Sequence, residues 1–343
     1  MSERDSGTNH QPRPIPLLLG IAKGYYEENR TMDSLAKEWG VSRSTVSRSL
    51  AEARDRGIVE IRLHDPTHGL RQLSDTLGSL YPVRFRVVPT IVGDSAEQEL
   101  DRVAAVAAAL LGNMVGAGDV IGVAWGTTVR ALSTHLPRHP LTDATVVQLN
   151  GAGSSTSTGT DYAASILARF GVAFDAAVQS FPVPAFFDDP AARELLWRER
   201  SIARILAIQR RMSVMVAGIG SGTASVTSHL YAGDYLEPED FRELQDERVA
   251  GDIATRFFRE DGTYEGITLN ERSTGPEFSV LAGVRTRLGV VHGRGKVRGL
   301  LGALRAGLFT HVVLDETAAR ALAEASGPGA GGQHRHRGPA RPD

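Results

Sequence analysis

The stretch Gly118-Asp119-Val120-Ile121-Gly122-Val123-Ala124-Trp125-Gly126-Thr127-Thr128-Val129 decides the fold of most of this chain. It predicts a buried strand, a tight turn at Gly126 and a helix that begins at Thr127. Glycine lets a backbone approach a ligand closely, and the free N–H groups of a helix start favour an anion, above all phosphate. Ordinary helix capping explains a Gly-Thr-Thr start equally well, so this stretch alone does not separate the two interpretations.

Outward from this stretch, apolar strand-like runs alternate with helical patterns. The predicted strands are Arg84 to Pro89, Val120 to Trp125, Thr145 to Leu149, Ser213 to Ala217, Leu288 to Val291 and His311 to Leu314. The predicted helices are Asp101 to Val115, Thr127 to His135, Ala191 to Gln209, Val297 to Ala306 and Thr317 to Ala325. Such alternation predicts an α/β domain with a mostly parallel sheet covered by helices on both faces.

Four more stretches place glycines and polar residues just after predicted strands. They are Gln148-Leu149-Asn150-Gly151-Ala152-Gly153, Gly218-Ile219-Gly220-Ser221-Gly222, Gly251-Asp252-Ile253 and His292-Gly293-Arg294-Gly295-Lys296. Because the carboxyl ends of parallel strands share one edge, these stretches predict a ligand site there, with ordinary βα-turn chemistry as the alternative. Lys296 stands at a helix start, where an anion would lie. Asp252 fits either an acceptor for sugar hydroxyls or a helix N-cap or turn acid.

Three short helical patterns precede residue 64. Apolar residues recur at steps of three and four from Leu17 to Tyr26, and Thr31 and Ser42 are predicted N-caps on either side of Gly40. Two short helices joined by Gly-Val form a helix-turn-helix. The run Ile58-Val59-Glu60-Ile61-Arg62-Leu63 alternates like a small β-wing.

The second of these two helices exposes a face without any carboxylate. Its polar residues are Arg43, Ser44, Thr45, Ser47 and Arg48. Short hydroxyls and arginines at a helix start can meet phosphates and base edges in a major groove. The face predicts DNA binding, and a packed three-helix module without a DNA role is the alternative.

Composition excludes several classes of protein. The 343 residues include no cysteine, which excludes disulfide staples, cysteine-ligated metal sites and thiol nucleophiles. A net charge of −2 gives no chain-wide attraction to nucleic acid or membrane. No apolar run is long enough for a signal peptide or a membrane span, and the ten histidines show no metal-ligand spacing. We therefore expect a cytoplasmic protein with no membrane contact, no metal and no cofactor.

The length favours two domains, or three. Polar, proline-bearing residues 1–14 predict a disordered leader, and the Gly, Pro, His and Arg residues at 326–343 predict a disordered tail. Between them we expect a winged helix-turn-helix domain at 15–63, a linker at 64–74, and an α/β domain at 75–325.

Both predicted domains resemble one known family. The segments Ile21 to Tyr26, Leu35 to Arg48 and Gly57-Ile58-Val59 resemble the DNA-binding head of the SorC-type, sugar-binding transcriptional regulators. The segments Val120 to Thr128, Gln148 to Gly151, Gly218 to Gly220, Gly251 to Phe258, Lys296 to Arg305 and Val313 to Glu316 resemble their sugar-binding domain. The sequence departs from the family pattern at Trp39, where a smaller aliphatic residue is usual, and at His292, where a glycine is common.

The resemblance implies a Rossmann-like domain similar to phosphosugar isomerases, with phosphorylated sugars or polyols as effectors. Carried onto this sequence, it assigns the phosphate to Gly126, Thr127, Thr128, Gly293 and Lys296, and the sugar to Asn150, Gly151 and Asp252.

We therefore expect a transcriptional regulator of carbohydrate metabolism whose operator binding is controlled by a small phosphorylated sugar. A dimer or tetramer is expected, because one recognition helix reads too few base pairs. The first alternative is a phosphosugar isomerase or deaminase with an appended head, for which Asp252 or Glu265 could act as general base. The second is a DNA-binding scaffold whose larger domain only forms oligomers.

Overall fold

The computed structural model describes residues 13–60, 68–222 and 224–326. The chain divides into two compact units, Met1–Asp65 and Pro66–Asp343. Residues 1–12 of the predicted leader, 61–63 of the predicted wing and 327–343 of the predicted tail lie outside the described part. Arg13 departs from the prediction of a disordered leader, because its main-chain N–H and its guanidinium donate to the Glu52 carboxylate at 3.0 and 2.8 Å.

The first unit consists of three helices, α1 (Ile15–Tyr26), α2 (Met32–Glu38) and α3 (Arg43–Asp55). Thr31 and Ser42 accept from the main-chain N–H groups of Ser34 and Thr45, which confirms both predicted N-caps. The helices share a small apolar core: Leu18, Ile21, Ala22, Leu35, Ala36, Val46, Leu50 and Ala53. These spacings therefore fold as the sequence predicts, with α2 and α3 as the helix-turn-helix.

The predicted wing is only partly described. Residues 58–60 have no strand assignment, and Ile58 and Val59 instead pack partly buried against the core of this unit. Gly57 adopts a positive φ of 68° just after α3, as expected for a residue that ends a helix.

The second unit is built on a seven-stranded parallel sheet in the order β1-β9-β8-β5-β2-β3-β4. Its strands are β1 (Arg84–Val88), β2 (Val120–Val123), β3 (Thr145–Gln148), β4 (Ala177–Gln179), β5 (Val214–Gly218), β8 (Thr286–Val291) and β9 (His311–Asp315). A separate antiparallel hairpin joins β6 (Val249–Ile253) to β7 (Arg256–Arg259). The α/β fold with a mostly parallel sheet is confirmed.

Twelve helices accompany these strands in the described part of the second unit. They are α4 (His68–Leu80), α5 (Ala96–Gly112), α6 (Thr127–Thr134), α7 (Thr160–Phe174), α8 (Pro190–Trp197), α9 (Arg200–Gln209), α10 (His229–Ala232), α11 (Pro238–Asp246), α12 (Leu269–Arg272), α13 (Phe278–Ala282), α14 (Val297–Arg305) and α15 (Glu316–Ala325). A 3₁₀ turn, Arg294–Lys296, leads into α14. No helix among residues 13–60, 68–222 and 224–326 is long and apolar enough to cross a membrane.

Both faces of the sheet are buried, so apolar residues alternate between two cores. Along β5, Val214 and Val216 belong to one core, while Met215 and Ala217 belong to the other. This is the pattern expected of a parallel strand covered by helices on both sides.

Four of the predicted features take a different form in the structure. Residues 68–74 of the predicted linker belong to α4, whose Leu70 and Leu77 are buried in the sheet's core. Helix α5 begins at Ala96, because Ser95 and Gln98 form a capping box. The single helix predicted over residues 191–209 is two helices, since Glu199 is extended. Asp252 lies within β6 of the antiparallel hairpin and not after a parallel strand.

The order of the strands fixes where a ligand can enter. The chain passes from β2 outward through β3 to β4, and then returns to place β5 on the other side of β2. Loops after β2 and β5 therefore diverge to opposite faces and leave a crevice at the carboxyl ends of these two strands.

Candidate functional site

A small cavity of about 40 Å³ lies at this crevice. Its walls come from the turn after β2, the turn after β5, Asn150 after β3, the hairpin residues Asp252, Ala254 and Thr255, the segment Ser228 to Leu230, and Lys296. Six separate parts of the chain thus meet around one space.

Gly126 shapes the first wall. Its φ of 147° and ψ of 168° put it in a region that side chains strongly disfavour, and it is the N-cap residue of α6. Thr128, in the first turn of α6, is 4% exposed and accepts a hydrogen bond from Lys296 Nζ at 3.3 Å. The cavity therefore borders a helix start whose first N–H groups lack intrahelical acceptors.

Lys296 brings a positive charge to the same wall. Its side chain is 4% exposed, and it forms no ion pair with any residue in the described ranges. Burial lowers the pKa of Lys296 to about 8, although the nearby Asp252 carboxylate opposes the shift. An ammonium at this depth is stabilised by an anion, and the helix start of α6 favours the same charge.

Two residues that line the cavity each carry a buried oxygen without a partner in the described part of the chain, Asn150 Oδ1 and Asp252 Oδ1. The other carboxylate oxygen of Asp252 accepts from the Thr255 main-chain N–H at 3.1 Å. Burial raises the pKa of Asp252 to about 6, while that hydrogen bond, Tyr231 and Lys296 oppose the shift. Buried acceptors normally have donors, and the hydroxyls of a ligand would supply them here.

The structure brings together Gly126, Thr127, Thr128, Asn150, Asp252 and Lys296 of the predicted site, and their division between phosphate and sugar stays a prediction. Gly151 and Gly293 do not line the cavity. Gly151 donates its N–H to Thr274 Oγ1 at 3.0 Å, and a side chain there would overlap the carbonyl of Pro184. Gly293 has a φ of 85°, and its N–H donates to Asp315 Oδ2 at 2.6 Å. Both glycines shape turns behind the cavity.

Sequence reasoning missed an aromatic cluster at the cavity, formed by Trp125, Tyr162, His229 and Tyr235. The Trp125 ring stacks on Tyr235 at 5.0 Å, and the His229 ring stacks on Tyr162 at 4.1 Å. The Trp125 indole N–H donates to the carbonyls of Asn150 and Gly151 at 3.2 and 2.8 Å. His229 sits on α10, which follows no strand directly, so the rule of polar strand ends could not identify it.

In the first unit, the predicted DNA-binding face lies at the start of α3. Arg43, Ser44, Ser47 and Arg48 are exposed, and Thr45 is half-buried. The Ser42 hydroxyl lies 2.8 Å from the hydroxyls of both Ser44 and Thr45, which fixes the first turn. The Arg43 guanidinium lies 3.8 Å from the carboxylate of Asp33, which is itself exposed. These side chains can therefore turn toward a DNA backbone, and their contacts with DNA stay a prediction.

Comparison with known proteins identifies the family. The family model described as "Putative sugar-binding domain" matches residues 65–324. The deoxyribonucleoside regulator of Bacillus subtilis (strain 168) is 29% identical over 89% of this chain and 96% of its own length. The sorbitol operon regulator of Klebsiella pneumoniae is 27% identical over 90% of this chain and 98% of its own length.

Solved structures agree. A crystal structure of a domain of a "possible sugar-binding transcriptional regulator" from Arthrobacter aurescens TC1 is 47% identical, with a TM-score of 0.71 over 76% of this chain and all of that one. The full-length sorbitol operon regulator SorC from Klebsiella pneumoniae is 26% identical, with a TM-score of 0.67 over 90% of this chain and 99% of that one. The resemblance seen in the sequence is confirmed: the chain belongs to the SorC-type sugar-binding transcriptional regulators.

Proposed function

We propose that this regulator binds operator DNA through α3 and that a small phosphorylated sugar or polyol in the cavity controls this binding. The observation that carries the proposal is Lys296, a buried ammonium beside the start of α6. Phosphate is the anion that this pairing fits best, because it accepts from main-chain N–H groups and from a lysine at once.

The charge of Lys296 supports a phosphate over a neutral ligand. With a pKa of about 8, the side chain is mostly protonated at neutral pH despite its burial. Asp252, with a pKa of about 6, is then mostly ionised, but it forms no ion pair with Lys296 among the described residues. A phosphate would supply the missing negative charge.

Two unpartnered oxygens on residues that line the cavity support a hydroxyl-bearing ligand. Asn150 Oδ1 and Asp252 Oδ1 are acceptors without donors in the described part of the chain. A sugar or polyol carries hydroxyl donors along its carbon chain, so one molecule can satisfy both oxygens while its phosphate contacts Lys296.

Control of DNA binding requires that the effector bind the DNA-competent and incompetent states unequally. We further propose a symmetric dimer or tetramer, because two α3 helices bound to one operator give a much higher affinity than a single recognition helix.

The enzymatic alternative is not favoured. The relatives named above are regulators, and Glu265, its second candidate base, is exposed and does not line the cavity. Analysis of products after incubation with ribose 5-phosphate, glucose 6-phosphate, fructose 6-phosphate and sorbitol 6-phosphate tests it. Turnover would support the enzyme; a thermal shift without turnover supports the sensor.

Two variants test the proposal in opposite directions. In Lys296→Met, the four sugar phosphates should bind about 10- to 100-fold more weakly, the loss expected for a charge-assisted hydrogen bond. Calorimetry and thermal shift measure this, with each unphosphorylated sugar run beside its phosphate. The matched control is Arg298→Met, which removes an equal charge from an exposed side chain two residues away.

Arg48→Ala tests the DNA face. It should weaken binding to a duplex that the wild-type protein selects from a random pool, while leaving sugar-phosphate binding intact. Lys296→Met should show the reverse, with DNA binding retained. Unchanged sugar-phosphate affinity in Lys296→Met would refute the anion site, and unchanged DNA affinity in Arg48→Ala would refute the recognition face.

A further inference from the structure

One buried carboxylate joins the turn that carries Lys296 to the last helix of the chain. We propose that Asp315 is a positioning residue that transmits occupancy of the cavity from the turn at 292–296 through α15 to α4. This inference rests on the proposed function and adds the route by which the cavity acts on the rest of the molecule.

The two carboxylate oxygens of Asp315 serve two different elements. Oδ1 accepts from the Ala318 main-chain N–H at 2.8 Å and so caps α15. Oδ2 accepts from the Gly293 main-chain N–H at 2.6 Å and lies 3.2 Å from His292 Nδ1. Asp315 is 2% exposed and His292 3% exposed, so water does not compete for these contacts. Capping of α15 requires only one carboxylate oxygen. The second oxygen accepts from the turn at 292–296, so Asp315 connects the two elements.

The turn is short enough for a movement at one end to reach the other. Gly293 starts it in a positive-φ conformation, and Lys296 ends it three residues later in the wall of the cavity. Arg294, between them, lies 3.3 Å from Glu324 on α15. A phosphate that pulls Lys296 therefore pulls on a segment held to α15 at two places.

The ionised state of Asp315 fits this role. Burial alone would raise its pKa, but the nearby His292 ring and the hydrogen bonds from the Gly293 and Ala318 N–H groups outweigh burial and hold the pKa below its ordinary value. The anionic carboxylate accepts from both elements at once, which a protonated carboxyl would do less well.

Helix α15 continues the route to α4. Leu70 and Leu77 of α4 share one buried core with Ala318 and Leu322 of α15. Beyond the ends of the two helices, the Tyr81 and Ser326 hydroxyls lie 2.7 Å apart. Since α4 is the first described helix after α3 in the chain, a displacement of α15 acts on the segment that leads to the DNA-binding unit.

Asp315→Asn tests the route while keeping the cap of α15, because asparagine is as good an N-cap residue as aspartate. It loses the second acceptor for the Gly293 N–H. The readout is the ratio of Kd values for the selected DNA duplex with and without the sugar phosphate that shifts the wild-type protein most. Allosteric ratios are commonly about 5- to 150-fold. In Asp315→Asn the ratio should fall to within about twofold of unity.

Effector binding itself should survive in this variant, weakened by no more than a few-fold. The matched control is Asp189→Asn, the same change at the exposed N-cap of α8, which should leave the ratio at its wild-type value. Tyr81→Phe, which removes the hydroxyl contact between the ends of α4 and α15, should also lower the ratio. It serves as the test if Asp315→Asn does not fold.

The outcomes distinguish failure of this inference from failure of the proposed function. A wild-type ratio in Asp315→Asn overturns the route and leaves the effector site standing. Complete loss of sugar-phosphate binding in Asp315→Asn also overturns it, because Asp315 would then belong to the site itself. A wild-type protein whose DNA affinity none of the four sugar phosphates changes contradicts the proposed function instead.

Discussion

Two side chains of opposite charge, Lys296 and Asp252, face the same small cavity, and burial disfavours the charged form of each. The proposed ligand would satisfy both groups with its phosphate and hydroxyls and so stabilise the protein. The stability of the protein without ligand therefore depends on how these two groups ionise.

Asp252 makes this measurable by pH. Its pKa is raised from 3.8 to about 6, so its protonated form stabilises the fold fully below pH 3.8, and this stabilisation is lost as pH rises through 6. The Asp252→Asn variant has no titrating group at this position, so it lacks this pH-dependent stabilisation. The variant should gain about 2 kcal/mol of stability relative to the wild type between pH 4.5 and pH 7, the part of the linkage between 3.8 and about 6 that falls in this range.

Denaturant unfolding of both proteins across this range provides the measurement. Comparison of the two proteins removes the pH dependence of groups that do not interact with Asp252. Stability curves that run parallel from pH 4.5 to pH 7 would show that Asp252 is not held in the raised state.

At this scale the sequence predicted much of the cavity. Polar residues at strand ends must converge in a parallel sheet, and Thr128, Asn150 and Lys296 do so. The rule failed where a residue reaches the cavity by another route. His229 arrives on a four-residue helix, and glycines such as Gly151 serve backbone packing, which residue type alone does not distinguish from ligand contact.

At the scale of elements, the first unit depends on how α1 meets the end of α2. Trp39, the residue that departs from the family pattern, lies over Gly20 of α1, and it remains 38% exposed. A methyl group on Gly20 would fall inside the Trp39 ring. The large indole is accommodated here because its neighbour has no side chain.

Gly20→Ala should therefore destabilise the first unit by about 1–3 kcal/mol, as overpacking does elsewhere. Thermal unfolding followed by circular dichroism measures it. Gly69→Ala is the control: nothing lies within 4 Å of the added methyl group in α4, so alanine should stabilise that helix slightly. A Gly20→Ala variant as stable as the wild type would mean that Trp39 moves away at little cost.

All six strands predicted from continuous apolar runs are present, each shifted by no more than two residues. The strands that the sequence analysis missed do not contain a continuous apolar run. Strand β4 has three residues at an exposed edge. The β6–β7 hairpin turns through Ala254 and Thr255 at positive φ, where Asn-Gly or Asp-Gly is the usual cue, so its sequence gives no sign of a hairpin.

For the whole molecule, the division into two units has a thermodynamic consequence. Each unit has its own buried core, three helices in one and the two faces of the sheet in the other. Two cores of such different size should unfold in separate transitions, so a single free energy of unfolding does not describe the chain.

A sugar phosphate should then raise only the transition of the larger unit. At a concentration one hundred times its Kd, the added stability is about 2.7 kcal/mol. Differential scanning calorimetry of the full chain shows both transitions at once, and Lys296→Met provides the baseline without effector binding. One cooperative transition that moves as a whole would contradict independent unfolding of the units.

The division near residue 65 was readable from the sequence, because helical patterns give way there to alternating strands and helices. The sequence did not indicate that residues 68–74 belong to helix α4. Its helical face is defined by what it covers, Leu70 and Leu77 against the core of the sheet, and that surface exists only in the folded molecule.

The three tryptophans lie in three different regions of the chain and can serve as intrinsic fluorescence probes. Trp39 lies against α1 in the first unit, Trp125 is stacked on Tyr235 in the wall of the cavity, and Trp197 packs beside Phe181 and Phe187. Intrinsic fluorescence therefore carries a separate signal from each region. Replacing two of the three tryptophans at a time leaves a single indole in each variant. The fluorescence of that indole then shows whether an added ligand changes the surroundings of the cavity, of the first unit, or of neither.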